Sequence, residues 1–456
     1  MSEPASESQS REMPDRARSI FLDALSQASI AKGFDRHEQY ERGILRIRED
    51  LYDLGSYSSV LAVSFGKAAH GMVAALSSQV GSTIEGIVAS PVLPESQVRG
   101  YRYFHAGHPT PTDESIRAAS AILRAVEAQP ATALVIFMIS GGGSSIVEKP
   151  IDDDISLHDL VATYHALVHS GAPIAEINAI RKHLSAVKGG RLAKATFPAQ
   201  QVSILVSDVP DQTPDALSSG PTMPDSTTVE DCYRLIRGSR ALSSPVDHPD
   251  SGNRNLAERF PSTVRELFER HALEETPKSD HPAFLRSRWW TVLSNAALVA
   301  SAKHRAERLG WTVHVDNRPD DWDYKQAADY LLERLRELRQ NQPRVCLLSG
   351  GEVTVEVEDG GEGGRNQQFA LYCAEKVAGQ DVCVLSAGSD GIDGNSPAAG
   401  AIIDSTTCEK AEARGLDVKA YLSRFDAYSL FAAIGDAIVI GPTGTNLRDL
   451  RILLAG

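Results

Sequence analysis

Short apolar runs alternate with amphipathic segments along most of the chain, which is the pattern of an α/β protein. Val60–Ser64 and Leu134–Ile139 are short, strongly apolar runs and are predicted as buried strands. Asp113–Ala128 carries apolar residues at helical spacing behind a Thr112 cap, which predicts a helix. Val353–Val357 alternates strictly between apolar and polar residues, so it is predicted as a half-exposed antiparallel strand. The same signals predict further strands over residues 202–206, 290–293, 311–315, 345–348 and 382–385.

The composition changes between about residues 221 and 285, where Pro, Ser, Asp and Arg become frequent. We place a domain junction there. The prediction is an N-terminal domain over residues 18–285, with a mainly parallel sheet and flanking helices, and a smaller mixed α/β domain over residues 286–456. Residues 1–17 are polar, without the apolar region of a secretory signal, and are predicted as a disordered leader.

A further helix is predicted to begin after Pro173, which lacks the N–H that a first turn does not need, and to run to Gly189-Gly190. Its apolar face lies beside a polar stripe at helical spacing. The stripe consists of Asn178, Arg181, Lys182, Ser185 and Lys188. A solvated basic face is the ordinary explanation of such a stripe. Three cations without interleaved acids, in an acidic protein, favour a cleft wall instead.

The 456 residues include 46 Lys and Arg against 60 Asp and Glu, which gives a net charge of −14. This acidity argues against a nucleic-acid or anionic-membrane partner. The longest apolar run, Ala133–Ile139, is far shorter than the roughly 20 residues of a membrane span. Five scattered cysteines, three of them within apolar runs, favour buried reduced thiols. We therefore expect a cytoplasmic protein.

Glycines, hydroxyls and carboxylates follow several of the predicted strands. In open α/β sheets ligands bind beyond the carboxyl ends of strands, and glycine lets backbone N–H groups converge on an anion. Ser140–Ser145 is the clearest example, and residues 207–211, 349–352 and 386–393 occupy equivalent positions. Together they predict a site for an anionic ligand.

Two cations fall at predicted helix starts, directly after glycine. Lys67 and Arg365 would each oppose the helix dipole there, a cost that a bound anion would reverse. The alternative is that both side chains extend into solvent. We expect phosphate contact.

Carboxylates at strand ends suit Mg²⁺, which is commonly held by one or two carboxylates plus phosphate oxygens. Asp208 and Asp211 are the candidate metal ligands, although aspartate is also ordinary in turns. His105 and His108 have H-x-x-H spacing, but no further Cys or His completes a zinc set. The sequence contains neither a P-loop nor a suitably placed dinucleotide fingerprint.

An ordered set of motifs makes the chain resemble the glycerate 2-kinase family with a C-terminal MOFRL domain, some members of which are labelled hydroxypyruvate reductase. The motifs run from about residue 60 to 450. They are Gly66-Lys67-Ala-Ala, Gly107-His108-Pro109, the Ser140–Ser145 loop, residues 178–190, Ser207-Asp208-Val-Pro, Ser219-Gly220-Pro-Thr222, Ser349-Gly-Gly-Glu352, Gly363-Gly-Arg365-Asn-Gln367, Asp390-Gly-Ile-Asp-Gly394 and Gly441-Pro-Thr-Gly-Thr-Asn446.

The resemblance implies an N-terminal Rossmann-like domain and a MOFRL-type α/β domain. It implies an enzyme that transfers the γ-phosphoryl group of ATP to the 2-hydroxyl of D-glycerate, with ATP and Mg²⁺ required. The expected catalytic residues are Lys67, Arg365 and Asp208, with Asp208 or Asp211 holding the metal. The expected substrate- or phosphate-binding residues are Ser140, Gly141, Gly142, Gly143, Ser144, Ser145, Asn178, Arg181, Lys188, Glu352, Asn366, Asp390 and Asn446. The expected partners are D-glycerate and a nucleotide, with neither nucleic acid nor a membrane, and a homodimer is the candidate assembly.

The chain departs from the family pattern at Glu362, where arginine is common, and at Gln368, where glutamate is common. Three alternatives remain open at this point. One is a kinase of another small hydroxy acid, the second is an NAD(P)H-dependent hydroxypyruvate reductase, and the third is a non-catalytic phosphate sensor.

Overall fold

The computed structural model describes residues 5–81, 83–237, 256–357 and 360–456. The helices in chain order are α1 (Ala5–Gln27), α2 (Ile30–His37), α3 (Ala69–Val80), α4 (Asp113–Glu127), α5 (Gly143–Ile146), α6 (Leu157–Val168), α7 (Ile174–His183), α8 (Arg191–Thr196), α9 (Val229–Ile236), α10 (Ser262–Glu269), α11 (Asn295–Arg308), α12 (Tyr324–Arg339), α13 (Arg365–Val377), α14 (Thr407–Glu412), α15 (Val418–Ser423) and α16 (Ala427–Ile434). The strands are β1 (Glu38–Glu41), β2 (Ile44–Ile47), β3 (Asp50–Asp53), β4 (Val60–Phe65), β5 (Glu85–Ser90), β6 (Tyr101–His105), β7 (Leu134–Ser140), β8 (Gln200–Val206), β9 (Ser287–Leu293), β10 (Thr312–Val315), β11 (Val345–Gly351), β12 (Val382–Gly388), β13 (Gly400–Ile403), β14 (Ala437–Ile438) and β15 (Asp449–Ala455).

The described residues form two compact units. We call the described residues within 34–206 and 212–292 the N-terminal unit, and those within 5–33, 207–211 and 293–456 the C-terminal unit. The α/β class is confirmed, with a largely parallel sheet in the first unit and a mixed sheet in the second. Among the described helices, none is both long and apolar enough to cross a bilayer.

The sheet of the N-terminal unit has the strand order β6-β5-β4-β7-β8-β9, and its pairs from β6 to β8 are all parallel. A separate antiparallel sheet contains β1, β2 and β3. In the large sheet, Phe65 of β4 is in register with Ile139 of β7. The loops that follow these two central strands therefore start side by side.

The sheet of the C-terminal unit has the order β10-β11-β15-β12-β13-β14. The last strand, β15, runs antiparallel between β11 and β12. Its first residue, Asp449, pairs with Gly351 of β11 and Gly388 of β12. The start of β15 therefore meets the carboxyl ends of its two neighbours, and this position places an acid where the sequence predicted a ligand site.

The core of the C-terminal unit packs α12 and α13 against this sheet through residues such as Leu331, Phe369 and Val384. Helix α1 packs on α11 and contacts β12, with Ile20 and Phe21 completely buried. All five cysteines are free thiols, and the three within apolar runs, Cys346, Cys373 and Cys383, are buried, as the sequence predicted. Cys232 is buried as well.

The division into units differs from the predicted domain boundaries. Residues 5–17 lie within α1, where a disordered leader was predicted, and Ala17 at the end of this segment is completely buried. Residues 1–4 of the predicted leader lie outside the described residues. Residues 207–211 also belong to that unit, and the chain crosses into it between residues 292 and 293. The hydrogen bond from Ser207 N to Leu293 O, 2.8 Å, ties these two segments together.

Two predicted elements are wrong. Val353–Val357 forms no strand, and its only bridge in the described chain joins Thr354 to Asp323, in parallel. Alternation marks a half-buried segment, but a strand also needs a neighbour along its whole length. Helix α7 ends at His183 rather than at Gly189-Gly190. Ser185 instead bridges to Pro150 of another segment, so the helical polar stripe does not extend to Ser185 or Lys188.

Candidate active site

The loop after β7 lies against the turn after β4 in the N-terminal unit. Lys67 N donates to Gly141 O at 2.9 Å, and Ala68 N donates to Ser140 Oγ at 3.0 Å. Gly66 makes this contact possible: its φ is +119°, and a Cβ there would lie 2.2 Å from Ser140 Oγ. Lys67 directly precedes Ala68, the N-cap of α3, so it lies just before the first turn in which it was predicted, and its side chain is exposed.

His108 joins Lys67 beside the same loop. Gly142 has φ +83°, and a Cβ built on it would lie 2.9 Å from His108 Cδ2 and 3.2 Å from Lys67 Cγ. Partial burial, and secondarily the charge of Lys67, lower the pKa of His108 below 6.5. No acidic side chain in the described parts of the chain forms an ion pair with Lys67. Lys67 therefore presents an uncompensated positive charge next to the glycine loop.

The serines of the loop hold its shape. Ser218 Oγ donates to Ser140 O at 2.9 Å, and the hydroxyls of Ser144 and Ser219 are 2.7 Å apart. Ser145 Oγ donates to Gly142 O at 3.2 Å. The side chains of Ser144 and Ser145, which the sequence predicted as phosphate contacts, thus have partners within the protein. The backbone of Gly141, Gly142 and Gly143 remains the candidate anion cradle.

The end of this loop is fixed by a buried polar network around Glu148. Glu148 accepts hydrogen bonds from Ser185 Oγ at 2.6 Å and from Tyr164 OH at 2.7 Å. Lys188 Nζ forms an ion pair with the same carboxylate, and both side chains are almost completely buried. Burial lowers the pKa of Lys188 to about 8, against the opposing charge of Glu148. Lys188 is therefore an internal partner of Glu148 and does not line an open cleft.

The remaining residues of the predicted stripe have different surroundings. Arg181 packs its guanidinium 4.6 Å above the Tyr164 ring, and its buried Nε has no hydrogen-bond partner. Lys182 is buried and pairs with Asp225 at 3.0 Å. Asn178 is half-buried on α7. Lys182 and Lys188 pair with acids from other segments of the chain, Asp225 and Glu148. The absence of acids within the stripe itself therefore did not show that these lysines are unpaired.

Arg365 is the centre of the site in the C-terminal unit. It is the first residue of α13, as predicted, and its Nε and Nη2 donate to the two carboxylate oxygens of Asp449 at 2.6 and 3.0 Å. Nη2 also donates to Glu352 Oε1 at 2.8 Å. Burial acts to lower the pKa of Arg365, but Asp449 and Glu352 outweigh it and the pKa is raised.

Carboxylates gather around this arginine. Burial raises the pKa of Glu352 to about 6, the charges of Asp449 and Asp208 add to the rise, and Arg365 and Arg448 oppose it. A Cβ atom built on Gly388 would lie 3.2 Å from Asp390 Oδ1 and 3.4 Å from Asp449 Oδ1, so these two carboxylates are close to each other. The structure thus brings together Asp208, Glu352, Asp390 and Arg365, four of the residues that the sequence proposed.

The side chains around Arg365 are rich in carboxylate oxygens, the ligand type that Mg²⁺ prefers. Within the described residues no three side chains of His, Cys, Asp or Glu are arranged to hold a metal on their own. Mg²⁺ at nucleotide sites is usually completed by phosphate oxygens, so a metal site at this group would need them. Asp211 is exposed in the same segment.

Two of the predicted binding residues have structural partners. Asn366 is buried, donates to Asp393 Oδ1 at 3.3 Å and accepts from Ser386 Oγ at 2.6 Å. Asp393 also accepts from the backbone N–H groups of Asn366 and Gln367, which fixes the start of α13. Asn446 Oδ1 accepts from Arg448 N at 2.9 Å within its turn. The side chains of Asn366 and Asn446 therefore stabilise the backbone around the site through these hydrogen bonds.

Sequence analysis missed Asp449 and the role of Asp320. Arg448 makes two hydrogen bonds to Asp320, at 2.6 and 2.7 Å, and Asp320 Oδ1 also accepts from Glu352 N at 3.1 Å. The only feature of Asp449 in the sequence is that it is an acidic residue at the start of an apolar segment. His108 was considered as a zinc ligand and as part of the motif Gly107-His108-Pro109, but it was given no role at the site; its position beside Lys67 is visible only in the structure.

Both units thus carry cations and glycine turns at the carboxyl ends of central strands, the arrangement of α/β proteins that bind anionic substrates. Residues 16–248 match a family model described as a domain of unknown function (DUF4147), and residues 345–449 match the MOFRL family. The chain belongs to the glycerate 2-kinase family that carries a C-terminal MOFRL domain.

Three similar proteins place the chain within this family. The D-glycerate 2-kinase of Thermotoga maritima is 34% identical, and the match covers 86% of this chain and 90% of that protein. A putative hydroxypyruvate reductase of Agrobacterium vitis is 35% identical over 87% of this chain and 99% of its own. The crystal structure of glycerate kinase from Thermotoga maritima superimposes with a TM-score of 0.82 at 30% identity, covering 98% of this chain and 100% of that one.

Proposed function

We propose that this protein is a glycerate 2-kinase, which transfers the γ-phosphoryl group of ATP to the 2-hydroxyl of D-glycerate and releases 2-phosphoglycerate and ADP. The observation that carries the proposal is Lys67, an exposed cation without an acidic partner in the described chain, held against the backbone of the Ser140–Ser145 loop. The names of the relatives in Thermotoga maritima support the same activity.

Phosphoryl transfer depends mainly on positioning and on stabilising the charge of the moving group. Lys67 and Arg365 bind the transferring phosphoryl group and the substrate carboxylate. The backbone of Gly141, Gly142 and Gly143 cradles an anionic oxygen. Asp449 and Glu352 hold the Arg365 guanidinium in a fixed plane, so that its orientation is set before substrate binds.

Asp208 is the residue proposed to hold Mg²⁺, with Asp211 as the alternative. When bound, Mg²⁺ would offset negative charge on the phosphates. Asp208 otherwise orients the acceptor hydroxyl, because a carboxylate oxygen can accept its hydrogen bond.

The test is ³¹P NMR of the purified protein with MgATP and D-glycerate. We expect ADP and 2-phosphoglycerate. Formation of 3-phosphoglycerate would refute the 2-hydroxyl as the acceptor group. Transfer only to other hydroxy acids, such as glycolate or D-lactate, would refute D-glycerate as the substrate. The Lys67→Ala variant serves as the control for contaminating kinases.

The relative named putative hydroxypyruvate reductase gives a second candidate reaction. It is examined by following NADH and NADPH absorbance with hydroxypyruvate. Turnover there, together with no phosphoryl transfer, would replace the kinase proposal.

A further inference from the structure

A cavity of about 500 Å³ lies within the C-terminal unit and includes Arg365 in its lining. Its walls are the segment after β11, the glycine-rich loop before α13 and the turn that contains Phe425. The described lining residues are Val353, Thr354, Val355, Val357, Gly360, Gly361, Gly363, Gly364, Arg365, Gln368, Gly394, Asn395 and Phe425. Among them Arg365 alone carries a charge.

One wall of this cavity is apolar. Val353 is buried, while Val355 and Phe425 are partly exposed towards the space. The glycines opposite contribute only backbone. A planar, uncharged group would remove this apolar surface from water, whereas a small anionic hydroxy acid would gain nothing from it.

Two of the polar side chains in the walls, those of Asn395 and Gln368, hydrogen-bond to the backbone of the walls and nearby segments. Asn395 Oδ1 accepts from Gly363 N at 2.8 Å, and Asn395 Nδ2 donates to Gly361 O at 3.1 Å. Gln368 Nε2 donates to Leu422 O at 2.7 Å. The cavity is therefore preformed by its own hydrogen bonds, as ligand pockets usually are.

The size of the cavity excludes a fit to the acceptor alone. Pockets of about 300–1,000 Å³ enclose ligands of drug size, and D-glycerate is a three-carbon acid. The lining also combines apolar side chains, among them Val355 and Phe425, with a single cation, Arg365. A ligand with a flat neutral end and an anionic end matches this combination.

We propose that this cavity binds the nucleoside of a nucleoside triphosphate, with the base against Val353, Val355 and Phe425 and the phosphates directed towards Arg365. The inference rests on the proposed kinase function and adds to it the place where the donor's base is held. The same walls explain how a site without a P-loop could select a nucleotide.

Filling the cavity tests the proposal. Val355→Trp should raise the KM for MgATP at least about tenfold, with the KM for D-glycerate within twofold of the wild-type value. The dissociation constant of MgATP, measured by calorimetry without D-glycerate, should rise by the same factor. Magnesium tripolyphosphate, which has no nucleoside, should bind both proteins equally.

The control is Val168→Trp, which places the same side chain on an exposed position of α6 and should leave all of these constants unchanged. Val355→Ile gives a milder filling that should fold even if tryptophan does not, and should give a smaller rise in the same direction. Circular dichroism and thermal melting establish that each variant is folded.

Three results would overturn the inference: unchanged MgATP binding in a folded Val355→Trp protein, a rise in the KM for D-glycerate alone, or equal weakening of tripolyphosphate. Failure of the proposed function has a different signature. In that case wild-type protein would transfer no phosphoryl group to D-glycerate, while the calorimetric comparison of MgATP with tripolyphosphate would still report on the cavity.

Discussion

Arg365 and Asp449 form a two-point ion pair, with Nε–Oδ2 and Nη2–Oδ1 distances of 2.6 and 3.0 Å, and Asp449 is completely buried. The two residues are 84 positions apart in the chain. They meet because β15 runs antiparallel between β11 and β12, so that its first residue faces the start of α13. The pair fixes the plane of the guanidinium in the proposed phosphoryl-transfer site.

Arg365→Lys should therefore lower kcat/KM by about 10², although the positive charge is kept, because lysine cannot make the planar two-point contact. The measurement is steady-state kinetics with MgATP and D-glycerate. The matched control is Arg334→Lys on the exposed surface of α12, which should behave as the wild type. Activity within a few-fold of wild type in Arg365→Lys would mean that charge alone is sufficient.

Lys67→Ala should reduce kcat/KM by at least about 10², since it removes a charge proposed to act on the phosphoryl group or the substrate carboxylate. Lys67 is exposed and forms no ion pair in the described chain, so the variant should melt at the wild-type temperature. Lys194→Ala, at an exposed position of α8, is the control. A loss of only a few-fold in a folded protein would remove Lys67 from the catalytic residues.

Local patterns predicted the fold class and most element positions because helix and strand periodicities are properties of neighbouring residues. They also predicted which strand ends carry glycines and cations. Helix α13 begins at Arg365 as expected, and β7 leads directly into the Ser140–Ser145 loop.

The errors concern features that depend on distant partners. Val353–Val357 has the alternation of a strand but meets only one bridging residue. Lys188 was predicted to line a cleft, whereas Glu148, 40 residues away, draws it into the interior. Asp449 gave no local sign of its role. The structure at these positions depends on partners that are distant in sequence, and a local sequence pattern does not identify those partners.

Breaking the Glu148–Lys188 pair should destabilise the protein strongly. Lys188→Met leaves a buried carboxylate without its cation, a change that typically costs about 3–5 kcal/mol. We expect a lower urea midpoint, measured by fluorescence and circular dichroism together. Arg117→Ala removes an exposed i,i+3 partner of Glu114 and should change stability by less than about 0.5 kcal/mol. Equal midpoints for the two variants would show that the buried pair is dispensable.

The pKa of His108 reports directly on its contact with Lys67. Burial is the larger cause that lowers this pKa below 6.5, and the charge of Lys67 is the second. In an NMR titration, Lys67→Ala should therefore raise the pKa of His108 while leaving it below 6.5, and Lys194→Ala should leave it unchanged. The native state holds this proton less firmly than the unfolded chain does. His108 therefore makes the free energy of unfolding fall as the pH drops from 6.5 through its lower native pKa. An identical His108 titration in wild type and Lys67→Ala would contradict the contact around Gly142, and with it the placement of Lys67 beside the glycine loop.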